Sequence, residues 1–253
     1  MLKKWNHQDY PYLYDTHVHT SQASACAKNS GADMARAYKE AGYAGIIITD
    51  HFYYGNTAVN RNLQWEDWVE RFCLGYLDAK QEGAKIGLDV FWGWESGYQG
   101  TEFLIYGLDK DWLLMHPEIR DANIRRQREL VEQDGGIVIH AHPYREEDYI
   151  REIRLFPEYI HGVECLNACH SNPDSMAHYA PEYDERALRY AREHDFILTA
   201  GSDMHQMDLY GGGMAYAEKF KDVDDFVKAL YDKKACILTD GSKQYLSTDL
   251  YRC

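Results

Sequence analysis

Tyr12-Leu13-Tyr14-Asp15-Thr16-His17-Val18-His19 is the stretch on which the fold of this chain turns. An apolar run opens it, and acidic and imidazole residues close it at alternate positions. Side chains along a strand alternate faces, so residues two apart point the same way. Asp15, His17 and His19 are therefore expected to converge on one point. Four further runs end in the same manner. Ile46-Ile47-Ile48-Thr49 leads into Asp50-His51, and Val90-Phe91-Trp92-Gly93-Trp94 into Glu95. Ile137-Val138-Ile139 leads into His140-Ala141-His142, and the run from Phe196 to Ser202 into Asp203-Met204-His205.

Helical stretches separate these runs. They are expected from Asp33 to Ala41 (ended by Gly42), Trp65 to Gln81, Glu118 to Gln133, Pro181 to Glu193 and Asp224 to Tyr231. Glycine just past the last turn and proline in the first are the usual boundaries. Residues 86–95 and 102–107 read as two strands joined by the turn-rich 96–100, 163–166 as another strand and 235–239 as the last. A loop is expected around Gly211-Gly212-Gly213. Strands alternating with helices imply a parallel sheet with short crossovers. Six or more such units in 253 residues fit one α/β domain, a closed or nearly closed barrel, better than an open doubly wound sheet. No Gly-x-Gly-x-x-Gly follows the first strand and no phosphate-cradling Gly-x-x-x-x-Gly-Lys-Ser/Thr occurs. In barrels the chemistry gathers at the C-terminal strand ends, where every residue singled out above lies.

Composition narrows the partners. The formal charge is −14, and the densest basic run is Arg125-Arg126-Gln127-Arg128, which reads as the solvated face of a helix. Phosphate-led binding of long nucleic acid needs a basic patch, so none is expected. No apolar stretch approaches the roughly 20 residues that span a bilayer, and the N-terminus lacks the apolar core of a signal peptide. A cytoplasmic protein without membrane attachment is the expectation. Six scattered cysteines fit reduced thiols. Cys165 and Cys169, with His161 and His170 nearby, lack the two tight pairs of a structural zinc site.

Each ending has a plain reading when taken alone. Asp50 could cap a helix, Glu95 could pair with an arginine, and a lone histidine is commonly a core or surface residue. Capping and pairing do not explain why all of them fall at the same end of successive strands. Imidazole and carboxylate together suit zinc, manganese or iron, and a mixed set suits more than one ion. Glu95 is the natural bridge, because one carboxylate can give an oxygen to each of two ions.

Taken in order, Asp15-Thr16-His17-Val18-His19, Thr49-Asp50-His51, Gly93-Trp94-Glu95, Ala141-His142-Pro143 and Gly201-Ser202-Asp203-Met204-His205 resemble the successive motifs of the PHP (polymerase and histidinol phosphatase) superfamily, from Tyr12 to about Gly213. The resemblance implies a distorted TIM-like barrel of seven β/α units, with residues 1–253 as one domain and 214–253 completing it. It also implies a centre of two or three divalent ions (Zn, Mn or Fe) and hydrolysis of phosphate esters. A small phosphorylated substrate of the histidinol-phosphatase type is the foremost expectation. Metal-ligand positions of the family fall on His17, His19, His51, Glu95, His142, Asp203 and His205. Asp15 and Asp50 are expected to orient ligand histidines from behind.

Many family members place a His, Asp or Glu shortly after the first motif; here that stretch offers only Gln22 and Cys26. His116 is the sole histidine between Glu95 and the His-Pro motif apart from His140, and is expected in a loop. Two ions are therefore expected before three, with Gln22 and His140 as the remaining metal candidates. Arg145 is the candidate phosphate clamp, since a guanidinium matches phosphate at two points; its plain reading is a surface arginine among Glu146, Glu147 and Asp148. His170 and His178 are candidates for substrate contact. Three rival functions stay open: a metal-dependent amidohydrolase, a phosphodiesterase or nuclease for nucleoside bisphosphates or short oligonucleotides, and a non-catalytic metal-binding regulatory module. Nothing in the sequence bears on oligomeric state.

Overall fold

The computed structural model describes residues 4–148, 150–175, 178–207 and 211–251. Ten strands form one mixed sheet: β1 (Tyr12–Val18), β2 (Gly45–Ile48), β3 (Asp89–Tyr98), β4 (Thr101–Tyr106), β5 (Ile137–His140), β6 (Gly162–Asn167), β7 (Ile197–Gly201), β8 (Gly212–Tyr216), β9 (Ile237–Asp240) and β10 (Gln244–Leu246). Their order is β10-β9-β8-β1-β2-β3-β4-β5-β6-β7. The helices are α1 (Gly31–Ala41), α2 (Trp65–Phe72), α3 (Leu74–Ile86), α4 (Lys110–Met115), α5 (Ile124–Gln133), α6 (Ala168–Ser171), α7 (Pro181–Glu193), α8 (Val223–Tyr231) and α9 (Ser247–Leu250).

Beyond the strand pair expected on either side of 96–100, the pairing departs from the parallel sheet that the alternation of strands and helices implied. β1–β2, β2–β3, β5–β6 and β6–β7 are parallel, whereas β3–β4, β4–β5, β1–β8, β8–β9 and β9–β10 are antiparallel. The glycines expected in a loop begin β8. At Gly213 (φ 144°) a Cβ would stand 2.3 Å from the Tyr14 carbonyl oxygen, so glycine permits the close approach to β1. The single helix expected from Trp65 splits at Cys73 because its two halves pack on different surfaces. α2 buries Trp65, Trp68, Val69 and Phe72, while α3 buries Gly75, Ala79 and Gly83. The helix expected from Glu118 starts at Ile124 instead, after a 3₁₀ turn over Pro117–Asp121; Asn123 caps it by accepting from the Arg126 N–H.

The sheet curls on itself. The Tyr106 hydroxyl on β4 donates to the Thr16 carbonyl on β1 (2.8 Å), and Thr16 Oγ1 donates to the Ala200 carbonyl on β7 (2.9 Å). Just past β7, Met204 pairs in parallel with Val18 through His19 N–H to Met204 O (2.9 Å) and Met204 N–H to His17 O (3.2 Å). The ends of β1, β2, β5 and β7 and the Glu95 region of β3 are thereby brought to one rim. The result is an α/β fold with a curled sheet. The aromatic residues mostly fill its core: Trp65 stacks on Trp68 and Trp68 on Phe72, with Phe52 and Trp94 beside them. Among the described residues no helix is long and apolar enough to cross a membrane.

Candidate metal centre

β1 delivers His17 and His19 to the rim, but Asp15 does not follow them. The pairing of β1 with β2 shifts register between Asp15 and Val18. Asp15 Oδ1 accepts the backbone N–H of His17 (3.1 Å) and of Ser202 (3.0 Å), and Oδ2 accepts the hydroxyls of Tyr38 (2.7 Å) and Ser202. Its role is to tie β1 to the turn that carries Asp203. Burial raises its pKa to about 6, against the lowering effect of the Ser202 and Tyr38 hydrogen bonds. Asp50 accepts the Thr20 N–H (2.6 Å) and the hydroxyls of Thr20 (2.7 Å) and Ser24 (2.7 Å). Ser24 Oγ in turn lies 3.1 Å from His19 Nδ1 and accepts the His51 N–H (3.0 Å). Asp50 thus reaches a ligand histidine only through Ser24.

The carboxylate that touches the His17 ring directly is Glu164 on β6, which sequence reasoning missed. Its Oε1 is 2.9 Å from His17 Nδ1, and its Oε2 accepts the His142 N–H (3.1 Å) and Asn167 Nδ2 (3.1 Å). With Nδ1 protonated toward Glu164, His17 turns the Nε2 lone pair toward the rim. Gly201 leaves room for this pair: a Cβ there would come within 2.7 Å of His17 Cβ and 2.8 Å of Glu164 Oε1.

The seven expected ligands come together. His17 Nε2 is 3.3 Å from Glu95 Oε1 and 3.4 Å from Asp203 Oδ1. His19 Nε2 is 3.1 Å from Asp203 Oδ1 and 3.6 Å from Glu95 Oε2. His142 Nε2 is 3.1 Å from Glu95 Oε1, and His51 Nδ1 is 2.7 Å from Glu95 Oε2. His205 stacks on His19 with ring centres 4.1 Å apart and holds its Nε2 3.5 Å from His51 Nε2. Their donor atoms form overlapping sets: His17–Glu95–His142, His17–His19–Asp203 and His19–His51–His205, each within 4.8 Å. A fourth set, His51–Glu95–Glu102, adds an acid that sequence reasoning missed. The signal was there: Glu95 pairs with Leu104, and Glu102, two residues earlier on the antiparallel β4, shares that face near the rim. His142 and Asp203 have positive φ (26° and 55°), a strained backbone of the kind that clusters at functional sites.

The donor set fits divalent metal. His17 Nε2, His19 Nε2, His51 Nδ1, Glu95 Oε2 and Asp203 Oδ1 are buried without an aligned hydrogen-bond partner. Buried polar atoms are seldom left so, and shared cations would satisfy all five. Burial opposes the charge of Glu95, yet His17 and His51 hold its carboxyl well below the usual range. Burial likewise opposes Asp203, and Arg145 with His17 prevails. Burial, reinforced by His205 and His51, pushes His19 well down.

The remaining predicted residues divide between the site and its surroundings. Gln22 accepts the Gly31 N–H (3.1 Å) and donates to Asp78 (2.8 Å) at the start of α1, so both ends of its amide are engaged there. His140 stands outside the four sets, stacked on Phe103 (4.9 Å), with neither ring nitrogen hydrogen-bonded. Burial, then His142, lowers its pKa to about 3. His116 lies outside the helix, as the residue between α4 and the 3₁₀ turn, stacked on Trp112 and in none of the four sets. Arg145 is buried at the site: Nη2 donates to Asp203 Oδ2 (2.5 Å) and Nε to His170 Nε2 (2.9 Å). His170 is fixed from behind by Asp184 (3.1 Å). His178 is exposed and pairs with Glu147 (2.7 Å). A cavity of about 660 Å³ opens over the cluster, lined by His51, Glu102, Asp203 and His205 with Lys28, Tyr54, Arg145 and His178.

A curled α/β sheet thus gathers imidazoles and carboxylates at one rim as candidate metal-binding groups. The PHP domain model matches residues 15–236, and the chain belongs to that family. A comparison with curated proteins gives no match. Solved structures share the fold at low identity. A candidate metal-dependent phosphoesterase from Bifidobacterium adolescentis is 16% identical, with a TM-score of 0.51 over 86% of this chain and 95% of that one. A two-domain protein from Bacteroides vulgatus, containing a predicted PHP-like metal-dependent phosphoesterase, is 13% identical with a TM-score of 0.61, over 93% and 67%. An amidohydrolase from Chromobacterium violaceum with bound sulfate and no metal is 13% identical with a TM-score of 0.54, over 86% and 96%.

Proposed function

We propose that this chain is a metal-dependent hydrolase of phosphate esters, acting on a small phosphomonoester, of which the histidinol-phosphatase type is one. The observation that carries this reading is the set of buried donor atoms without partners beneath an open cavity. Two divalent ions would fit: His17, Glu95 and His142 would hold one and His19, His51 and His205 the other, with Asp203 within reach of His17 and His19. When bound, such ions supply charge neutralisation for the phosphate and a water activated near neutral pH.

The chain's own groups do the rest. Glu164 keeps the His17 proton on Nδ1, and Ser24 positions His19. Arg145, braced by Asp203 and His170, binds phosphate oxygens. His178 meets the substrate at the lip. The same reading takes the curled sheet of this one domain as a distorted barrel of seven β/α units, a view supported by the pairing of Met204 with Val18.

The test is metal analysis of stripped and reloaded protein, with a panel of phosphomonoesters, phosphodiesters, amides and lactones. Two ions per chain, fewer in His17→Ala, and turnover of phosphomonoesters are expected. Arg145→Ala should raise KM at least tenfold for phosphomonoesters. Metal uptake unaltered in His17→Ala, or turnover of amides alone, would overturn the reading.

A further inference from the structure

A second cavity of about 160 Å³ lies beside the first, and Tyr54 and Gly97 line both. Phe52, Ile119 and Ile124 form its apolar wall. Its unusual member is Gln127, in the basic run read from sequence as a solvated face. Arg125 and Arg126 do face outward and, with the half-buried Arg128, pair with Glu129 and Glu132. Gln127 instead belongs to the buried stripe of α5, with Ile124, Leu130 and Val131. It is only 3% exposed, and its Nε2 has no hydrogen-bond partner. An amide in a helix's apolar stripe, buried and unpaired, calls for a partner from outside the chain.

The one carboxylate on the wall is engaged by its neighbours. Asp121 Oδ1 accepts the Tyr54 hydroxyl (2.7 Å) and Oδ2 accepts Arg120 Nε (2.9 Å). The positive end of the α5 dipole also faces this region, beside its cap Asn123. A water takes about 30 Å³, so the space holds more than a single water.

We propose that this cavity is a subsite for the non-reacting end of the substrate, where Gln127 Nε2 donates to the sp² oxygen of a carboxylate or carbonyl. The proposal rests on the hydrolase reading above for the identity of the reacting end, while the binding itself does not depend on metal.

The first test uses the full chain stripped of metal, with 4-fluorobenzoate, 4-fluorobenzamide and fluorobenzene as fluorine NMR probes. Benzoate or benzamide should bind the wild type, and the preferred one names the group. Binding should weaken at least tenfold in Gln127→Leu and in Gln127→Met, with fluorobenzene unaffected. No binding of either oxygen-bearing probe to wild type overturns the subsite, as does equal binding by both variants; water alone then satisfies Gln127. The second test compares phenyl phosphate with its 4-carboxy and 4-carbamoyl derivatives on metal-loaded protein. The kcat/KM advantage of the preferred derivative should fall toward one in Gln127→Leu. If none of the three is hydrolysed, the phosphoesterase reading fails while the probe binding still decides the subsite.

Discussion

Replacing Glu164 by glutamine isolates the group that aims His17. The two carboxylate oxygens have separate tasks: Oε1 faces His17 Nδ1 at 2.9 Å, and Oε2 accepts from the His142 N–H and Asn167 Nδ2, each at 3.1 Å. In Glu164→Gln the amide oxygen stays with the two donors at the Oε2 position, since the NH₂ group would repel both. The NH₂ group then meets His17 Nδ1, which can be satisfied only as an acceptor. That tautomer puts the proton on Nε2, the atom that faces Glu95 and Asp203, and blocks it as a ligand. Loss of such a ring partner weakens metal binding by about 10–100-fold, or about 1.4–2.7 kcal/mol. Competition with a calibrated chelator, reading Zn²⁺ or Mn²⁺ affinity at pH 7.5, is the assay. Far-UV dichroism and thermal melting confirm that the nearly isosteric variant is folded. Affinity within twofold of wild type in a folded variant would refute both the tautomer argument and the role of His17 as a ligand.

Burial holds His140 neutral, with a pKa of about 3 against 6.5 for the free side chain. Between these values the unfolded chain takes up a proton that the folded chain refuses, so this stabilisation is complete above pH 6.5 and is lost as pH falls. His140→Phe should remove about 2 kcal/mol of the stability lost between pH 7.5 and 5, measured by urea unfolding; an identical loss in both proteins would contradict it. Ser24→Ala leaves the Asp50 oxygen, His19 Nδ1 and the His51 N–H short of a partner, at about 1–3 kcal/mol. It should lower both the melting temperature and metal affinity, and an unchanged melting temperature would remove Ser24 as the link. Gly201→Ala should reproduce the metal defect of Glu164→Gln by pushing His17 and Glu164 apart; full metal affinity would show that the turn yields instead.

Much of this candidate site is legible in the chain because its histidines and acids stand at the ends of buried apolar runs. There, strand direction alone fixes which rim they reach. The missed acids lie where direction is not enough. Glu102 begins a strand, and only the antiparallel return of β4 puts a strand's start at the ligand rim. Glu164 sits inside β6, and its partner His17 comes from a strand not adjacent to it in the sheet, so the curl of the sheet decides the contact. Gln127 was hidden by charge: three arginines around it suggest a solvated face, while Ile124 and Leu130 at helical spacing point the same position inward.

Asp15 shows the limit of the alternation rule itself. Residues at i, i+2 and i+4 of a strand share a face, but each residue advances the chain by about 3.3 Å. Asp15 and His19 are then about 13 Å apart along a regular strand, too far to hold one ion together. Only neighbours two apart can do so, and His17 with His19 (ring centres 5.0 Å apart) meets that condition. Asp203 and His205 are also two apart, but there the backbone has left β7 and turns at Asp203 with φ 55°. What brings that pair to the rim is the bond of Met204 to β1, fixed in turn by Asp15 accepting from Ser202. The aspartate that opens the first motif thus serves the cluster at a distance, by holding the last motif against the first.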